Sequence, residues 1–371
     1  MQAVKVSGRK VRYAVVGAGW ISQAAFMPGV AHTGNSELTA LVTGDQQKAK
    51  QLSTLYKIPK TYDYDSYDRL LESGEVDAVY LALPNEMHTE WALRTLRAGL
   101  HLLLEKPMAT SEADCEAICQ AARESGAKLM LAYRLHFEPL TLEAIRVARS
   151  GEIGDPRFFN ASFSQHVASS NHRANHGFWS GPVPDMGPYP LNAARHLFGA
   201  EPVEVSAVGA QNTKLGFDFD DTVSVTLRFP GERLAQFTVS YGADAADAYR
   251  LVGDKGDLLA SPGFGFAKPM ELTVTVDGKS RARTFAPTDQ FGGELQYFSD
   301  CILQDRQPEP DGEEGLADVR VLAAIHESLR TGRRQQLETF SRSLRPEMSM
   351  KKELPPVDPP EQINSSAPQQ G

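Results

Sequence analysis

Two short stretches hold acids, a lysine, a tyrosine and a histidine where apolar residues are the ordinary choice. In "HLLLEKP" (101–107) an apolar run ends in Glu105 and Lys106 before Pro107 stops it. In "VPDMGPYPLNAARHLFGAEP" (183–202), Asp185, Tyr189, Asn192 and His196 stand at offsets of four, seven and eleven, which is one face of a helix. A helix normally buries an apolar stripe, so this stripe needs something polar to face, unless solvent simply covers it. Pro184, Pro188 and Pro190 fit a helix only before or within its first turn, where the amides lack intrahelical partners. Glu105 and Lys106 read in two ways: as a salt bridge that merely ends a strand, or as an ion pair set at the mouth of a ligand site.

The elements that must position these groups favour the second reading. "VRYAVVG" (11–17), "ELTALVTG" (37–44), "DAVYLALP" (77–84), "HLLLEKP" and "KLMLAY" (128–133) are continuous apolar runs. Such runs suit strands covered on both faces, as in a parallel sheet. Helical stretches at 46–56, 86–98 and 111–125 lie between them, giving a doubly wound order. In that architecture ligands bind outside the carboxyl ends of the strands. "VVGAGWIS" (15–22) puts Gly17 and Gly19 at the end of the first strand and opens a helix at Trp20 and Ile21. The first glycine permits the tight turn and the second lets the backbone approach a pyrophosphate. Ser22 stands where a third glycine is often found.

The second strand end, "LVTGDQQKAK" (41–50), selects the dinucleotide. With Thr43 and Gly44 in the place of the acid that accepts from a ribose 2′-hydroxyl, and Lys48 within reach of a 2′-phosphate, NADP is preferred over NAD. Asp45 is then expected to cap the next helix. "LALPNEMH" (81–88) is another such strand end. Leu83, Pro84, Asn85, His88, Glu105 and Lys106 are therefore expected to converge with the glycine turn. Lys106 would lie beside the nicotinamide, oriented by Glu105, and Arg134 follows the last strand.

Beyond residue 150 the texture changes to alternating segments such as "DTVSVTLRFP" and "RLAQFTVSYG", the pattern of an antiparallel sheet with one wetter face. Helices are expected at 290–304 and 313–331. Domains are placed at 1–134, 135–335 and a tail at 336–371, extended or disordered and docked on a partner subunit. The formal net charge of -9 gives no basic footprint for nucleic acid. Cys115, Cys119 and Cys301 read as free thiols, and no spacing suits a metal. There is no export-signal pattern at the start and no window of ~18 apolar residues, so a cytoplasmic protein without a membrane span is expected.

Gly17-Ala-Gly19, Pro84-Asn85, Glu105-Lys106-Pro107, Tyr133-Arg134 and Asp185-x-Gly187-x-Tyr189-x-x-Asn192, in that order, resemble the glucose–fructose oxidoreductase/inositol dehydrogenase (Gfo/Idh/MocA) family over residues 10 to 335. The resemblance implies an α/β Rossmann domain (a parallel doubly wound sheet) plus an α+β domain with a large open, mainly antiparallel sheet. The outer face of that sheet would form a homodimer or homotetramer. It implies NAD(P)-dependent oxidoreduction of a sugar. Tyr189, with the Thr43-Gly44 strand end, resembles the glucose–fructose oxidoreductase-like branch. On that reading Tyr189 takes the proton from a substrate hydroxyl while hydride leaves C1 of an aldose. Lys106 would stand within hydrogen-bonding range of the phenol, Asp185 would hold Lys106 or a sugar hydroxyl, and Arg134 and His166 would contact substrate. Two other classes share the fold: a non-catalytic NADP-binding regulator and a redox-assisted glycosidase. The loop 165–181 is expected to choose the sugar.

Overall fold

In the computed structural model, residues 8–171, 174, 176–358, 360–365 and 367–368 are described. Part of the 165–181 loop, at 172, 173 and 175, and part of the tail lie outside the described residues. The apolar runs form a six-stranded parallel sheet from Val11–Val16 (β1), Ser36–Val42 (β2), Lys60–Tyr62 (β3), Ala78–Leu81 (β4), His101–Leu104 (β5) and Leu129–Leu131 (β6), in the order β3-β2-β1-β4-β5-β6. Their continuity has the expected cause: Val15, Val16, Val79, Leu102 and Leu103 are wholly buried because both faces are covered. Helices Met27–Thr33 (α1), Gln46–Tyr56 (α2), Tyr67–Leu71 (α3), His88–Arg97 (α4) and Glu112–Ser125 (α5) connect the strands. The order reverses between β1 and β4, which opens the crevice at their carboxyl ends.

The rest of the chain runs through Pro139–Arg149 (α6), Pro156–Ser164 (β7), Pro182–Met186 (α7), Pro188–Phe198 (α8), Glu204–Ala210 (β8), Thr222–Phe229 (β9), Arg233–Ser240 (β10), Ala246–Gly253 (β11), Gly256–Ala260 (β12), Met270–Val276 (β13), Lys279–Phe285 (β14), Gln290–Leu303 (α9), Gly312–Thr331 (α10) and Gln335–Gln336 (β15). Nine of these strands form one sheet, β14-β13-β12-β11-β7-β10-β9-β8-β15, antiparallel except where β10 runs parallel to β7. One face packs on α6, α8 and α10. On the other, Phe158, Leu234 and Leu259 alternate with buried Phe159, Ala235 and Leu258 and remain exposed, as does Val208. Helix α9 returns to the first sheet, where Phe291, Leu295 and Phe298 pack against Tyr13 and Val15.

Two readings need correction. The helix anticipated through 185–196 is two helices broken at Gly187, where a Cβ would lie 2.3 Å from the carbonyl oxygen of Val183. Pro182 and Pro188 open the two pieces, as proline's missing N–H allows. The central strand β7 was not anticipated, because in "RFFNASFS" only Phe159 and Ser164 are fully buried, while Phe158, Asn160 and Ser162 stand exposed between the core-facing Phe159, Ala161 and Phe163. The described part of the tail lies along its own chain: Met350 is buried beside α9, Lys352 N–H donates to the Phe137 carbonyl, and Leu354 accepts from Asp289 N–H. No helix among the described residues is long and apolar enough to cross a membrane. The three cysteines are buried, and burial pushes their thiols up.

Candidate active site

At the cofactor end the backbone is shaped by absent side chains. Gly17 has φ +93°, and a Cβ there would lie 2.2 Å from the carbonyl oxygen of Ala82 at the end of β4. Gly19 faces open space, leaving bare backbone toward the crevice. The Ser22 hydroxyl donates to the Gly17 carbonyl at 2.6 Å, so the residue in the third-glycine position ties the turn to the helix. Trp20 meets the edge of Phe266, and Ile21 packs on the adjoining hydrophobic layer. This cradle of close approach and exposed backbone fits a dinucleotide pyrophosphate.

Thr43 directly follows β2 and is buried, with exposed Gly44 after it. Asp45 caps α2 as anticipated, its Oδ1 accepting from Lys48 N–H at 2.9 Å. Lys48 stands in the first turn of α2. Beyond β4, the Leu83 side chain flanks Gly17, Pro84 precedes the turn, and Asn85 Nδ2 donates to the Trp179 carbonyl at 2.6 Å. His88 does not line the crevice. Its ring is wholly buried, Nδ1 2.8 Å from the Pro107 carbonyl and Nε2 2.9 Å from the Leu83 carbonyl, and burial lowers its pKa. A neutral imidazole carries one N–H and donates to one of these carbonyls, and the ring fills the space between the segments that follow β4 and β5.

The expected pairing of Glu105 with Lys106 is also corrected. Lys106 Nζ bonds Asp185, 79 residues away, donating to its Oδ1 at 2.9 Å and its carbonyl at 2.7 Å. Glu105 turns inward and accepts from Tyr80 Oη at 2.7 Å. A strand end sends consecutive side chains to opposite sides, so Glu105 and Lys106 cannot both enter the crevice. Burial raises the Glu105 pKa despite Lys106 and Tyr80. Burial opposes the Lys106 charge, but Asp185, then Tyr189 and Glu105, outweigh it and the ammonium is held above its ordinary range. Asp185 Oδ2 in turn accepts from buried Tyr241 Oη at 2.8 Å.

Tyr189 lies beside this pair, its ring centre 5.3 Å from Lys106 Nζ. The expected hydrogen bond from Lys106 to the phenol is made instead by Arg134, whose Nε donates to Tyr189 Oη at 3.3 Å while its guanidinium stacks on the ring. Arg134 is buried and fixed by the Phe264 and Gly265 carbonyls and by Gln290 Oε1. His166 is exposed on the loop after β7. The other half of the polar stripe faces inward: Asn192 bonds His136 and Asp318, and His196 Nε2 lies 3.1 Å from Glu314. A cavity of about 40 Å³ reaches from Lys106 and Tyr189 to His136 and His196. Tyr241, Trp179 and Gln290 escaped the sequence reading because each acts from a distant segment with no motif of its own.

The oxidoreductase family model with an NAD-binding Rossmann fold (GFO_IDH_MocA) matches residues 11–133, and the model of the GFO/IDH/MocA C-terminal domain matches residues 141–259. The chain belongs to the Gfo/Idh/MocA family. Among relatives, the NADP(+) D-xylose 1-dehydrogenase of Haloarcula marismortui is 30% identical over 329 residues, 86% of this chain and 91% of that one. The aldose-aldose oxidoreductase of Caulobacter crescentus, solved with glycerol, superposes with a TM-score of 0.83 at 34% identity, covering 89% of this chain and all of that one. A 3-ketoreductase from Actinomadura kijaniata, solved with NADP and TDP-benzene, gives 0.79 at 25% identity, covering 86% of this chain and 98% of that one. In this Gfo/Idh/MocA chain the glycine turn and the Lys106–Asp185–Tyr189 group thus occupy the strand-end crevice of an oxidoreductase fold.

Proposed function

We propose that the protein is an NADP(H)-dependent sugar oxidoreductase, oxidising C1 of an aldopyranose to a lactone or, in reverse, reducing a sugar carbonyl. The observation that carries this reading is the joining of Lys106 to Asp185, with Tyr189 beside them, at the carboxyl ends of β4 and β5. A bound NADP supplies hydride acceptance at its nicotinamide. Gly17, Gly19, Trp20 and Ile21 would hold the pyrophosphate, Thr43, Gly44 and Lys48 the 2′-phosphate, and Leu83, Pro84 and Asn85 the path to the nicotinamide. Tyr189 would take the hydroxyl proton of the sugar, and Arg134 meets the charge at its oxygen. Lys106 would stabilise oxyanion character at the reacting carbon, held by Asp185, with His166 at the rim. Residues 1–134 would form the cofactor domain and 135–335 the substrate and oligomerisation domain. The relatives named for D-xylose and aldose oxidation support an aldose as substrate.

The exposed apolar residues Phe158, Leu234, Leu259 and Val208 support self-association through the open sheet, and the same reading places the enzyme in the cytoplasm, where NADP(H) is kept. The direct test follows 340 nm absorbance while the protein is mixed with NADP or NAD and a panel of aldoses. Aldose-dependent absorbance with NADP is expected. Its absence across the panel, or turnover of a nitrophenyl glycoside without NADPH accumulation, overturns the reading. Sedimentation of the native chain and of a Phe158→Lys, Leu234→Lys variant checks the assembly, with dissociation expected in the variant.

A further inference from the structure

The tail beyond α10 approaches the crevice at three anchored points. Gln23, a buried residue in the helix that follows the glycine turn, exchanges two hydrogen bonds with the backbone of Ile363: Nε2 donates to its carbonyl at 3.0 Å, and Ile363 N–H donates to Oε1 at 2.8 Å. The same Nε2 donates to the carbonyl of Ala18, between the two glycines, at 2.8 Å. Asn364 Nδ2 donates to Asp45 Oδ2 at 3.0 Å. Asn364 has φ 46°, a left-handed conformation that asparagine adopts more readily than most residues. Four residues on, the carbonyl of buried Pro368 accepts from Ala168 N–H at 3.3 Å, on the loop after β7. Four residues span at most about 14 Å. Asn364 and Pro368 are thus anchored close together, the one at the end of β2 and the other at the loop after β7.

We propose that Ile363 and Asn364 are part of the NADP site, the tail closing over the adenosine end of the crevice and Asn364 setting the preference for a 2′-phosphate. This rests on the NADP reading above. Asp45 is the acid nearest the position at which an NAD enzyme accepts from the ribose hydroxyls. Here its Oδ1 is engaged by the helix amide of Lys48 and its Oδ2 by Asn364. A carboxylate so turned repels a 2′-phosphate less and accepts from a 2′-hydroxyl less well. Gln23 adds the covering function, because one side chain ties the glycine turn to the strap. A dinucleotide with its pyrophosphate on Gly17–Gly19 and its adenosine beside Asp45 would lie beneath the tail, which would have to lift for it to leave.

The test uses NADPH fluorescence and needs no sugar. The full chain is compared with a chain ending at Glu361, with Asn364→Ala and with Ile363→Pro, which removes the N–H that Gln23 accepts. The rate at which bound NADPH is displaced by excess NADP is measured, and NADPH and NADH affinities are titrated. The chain ending at Glu361 and Ile363→Pro should release NADPH at least tenfold faster. Asn364→Ala should narrow the NADPH-to-NADH preference at least threefold with an unchanged melting temperature in the absence of cofactor. Release rates and preference within twofold of the full chain in the variants overturn the proposal. If the shortened chain does not fold, the two point variants decide. Failure of the full chain to bind NADPH at all is a distinct result that overturns the cofactor reading itself.

Discussion

The helix pair α7–α8 serves two regions made from the same kinds of side chain. Toward the crevice it presents Asp185 and Tyr189, which meet Lys106 and Arg134. Inward it presents Asn192, Arg195 and His196 to a closed network, in which Arg195 bonds Glu201, Glu314 and Asp318, and Arg342 bonds Glu309, Asp311 and Glu314. The Lys106 and Asp185 side chains keep 14% and 21% exposure, whereas those of Arg195 and Glu314 have none. The difference is one of access. At the crevice a proton or a substrate oxygen can reach the charged groups, and in the network the acids are closed off around two guanidinium groups. Acids and cations are left open to a substrate in the first setting and fix the helix in the second.

Breaking the crevice half should cost the most, and only in rate. Tyr189→Phe is expected to slow sugar oxidation by about 10²–10⁴-fold, the ordinary worth of a positioned proton acceptor, with NADPH affinity and folding nearly unchanged. Lys106→Ala should leave less than a tenth of turnover. The proposed roles put both on one reacting centre, so the double variant should lose much less than the product of the two. Steady-state kinetics beside denaturant melts check this, and multiplicative losses would show that the two residues act separately.

The network half should respond in the opposite currency. Arg195→Met strands buried Glu201, Glu314 and Asp318 without their shared cation, and should destabilise by about 3–5 kcal/mol. Protein that remains folded should keep its NADPH affinity, because Arg195 lies away from the glycine turn. Urea titration at fixed pH measures the loss. A change below about 1 kcal/mol would mean that the two regions differ less than their geometry says.

How much of this was legible in the sequence follows from what each feature depends on. The first sheet was readable because burial on both faces writes itself as unbroken apolar runs in β1, β4 and β5. Asp45 as a cap was readable because capping is local. The partner of Lys106 was not, since adjacency to Glu105 in the chain says nothing of which way two strand-end side chains point. His88 looked like a crevice residue from its place after β4, yet its ring turns inward between two carbonyls. Tyr241, Gln23 and Asn364 act across more than 50 residues and carry no spacing signal.

A smaller change sharpens the cofactor side of the comparison. Thr43→Asp puts a carboxylate at the end of β2, where it repels a 2′-phosphate and accepts from a 2′-hydroxyl, so preference should move from NADP toward NAD. One charged hydrogen bond gained or lost corresponds to roughly ten- to a hundredfold in the ratio of affinities. Titration with NADPH and NADH reads it. Should the unaltered protein already prefer NADH, the assignment of Thr43 and Lys48 fails.

The smallest effect tests whether the network is as closed as its hydrogen bonds suggest. Burial, with Glu314 nearby, pushes Glu309 up to about 8, and burial against the pull of Arg195 leaves Asp318 at about 7. Burial lowers His136 to about 4 and His196 to about 3. An acid with a raised folded pKa contributes stability that is complete below its unfolded value and is lost as pH rises through the folded one. For Glu309 and Asp318 that loss extends from about pH 4 to 8. The two histidines act with the other sign, since the unfolded chain binds their protons up to about 6.5, so below that pH they offset the acids. Above pH 6.5 only the acids remain, and stability should fall by roughly 2–3 kcal/mol between pH 6.5 and 8.5. Melts across that window, repeated with Asp318→Asn to remove one titrating group, should show a shallower fall in the variant. A flat profile in the unaltered protein would mean that water reaches these carboxylates, and that the inner half of α8 is as open as the outer.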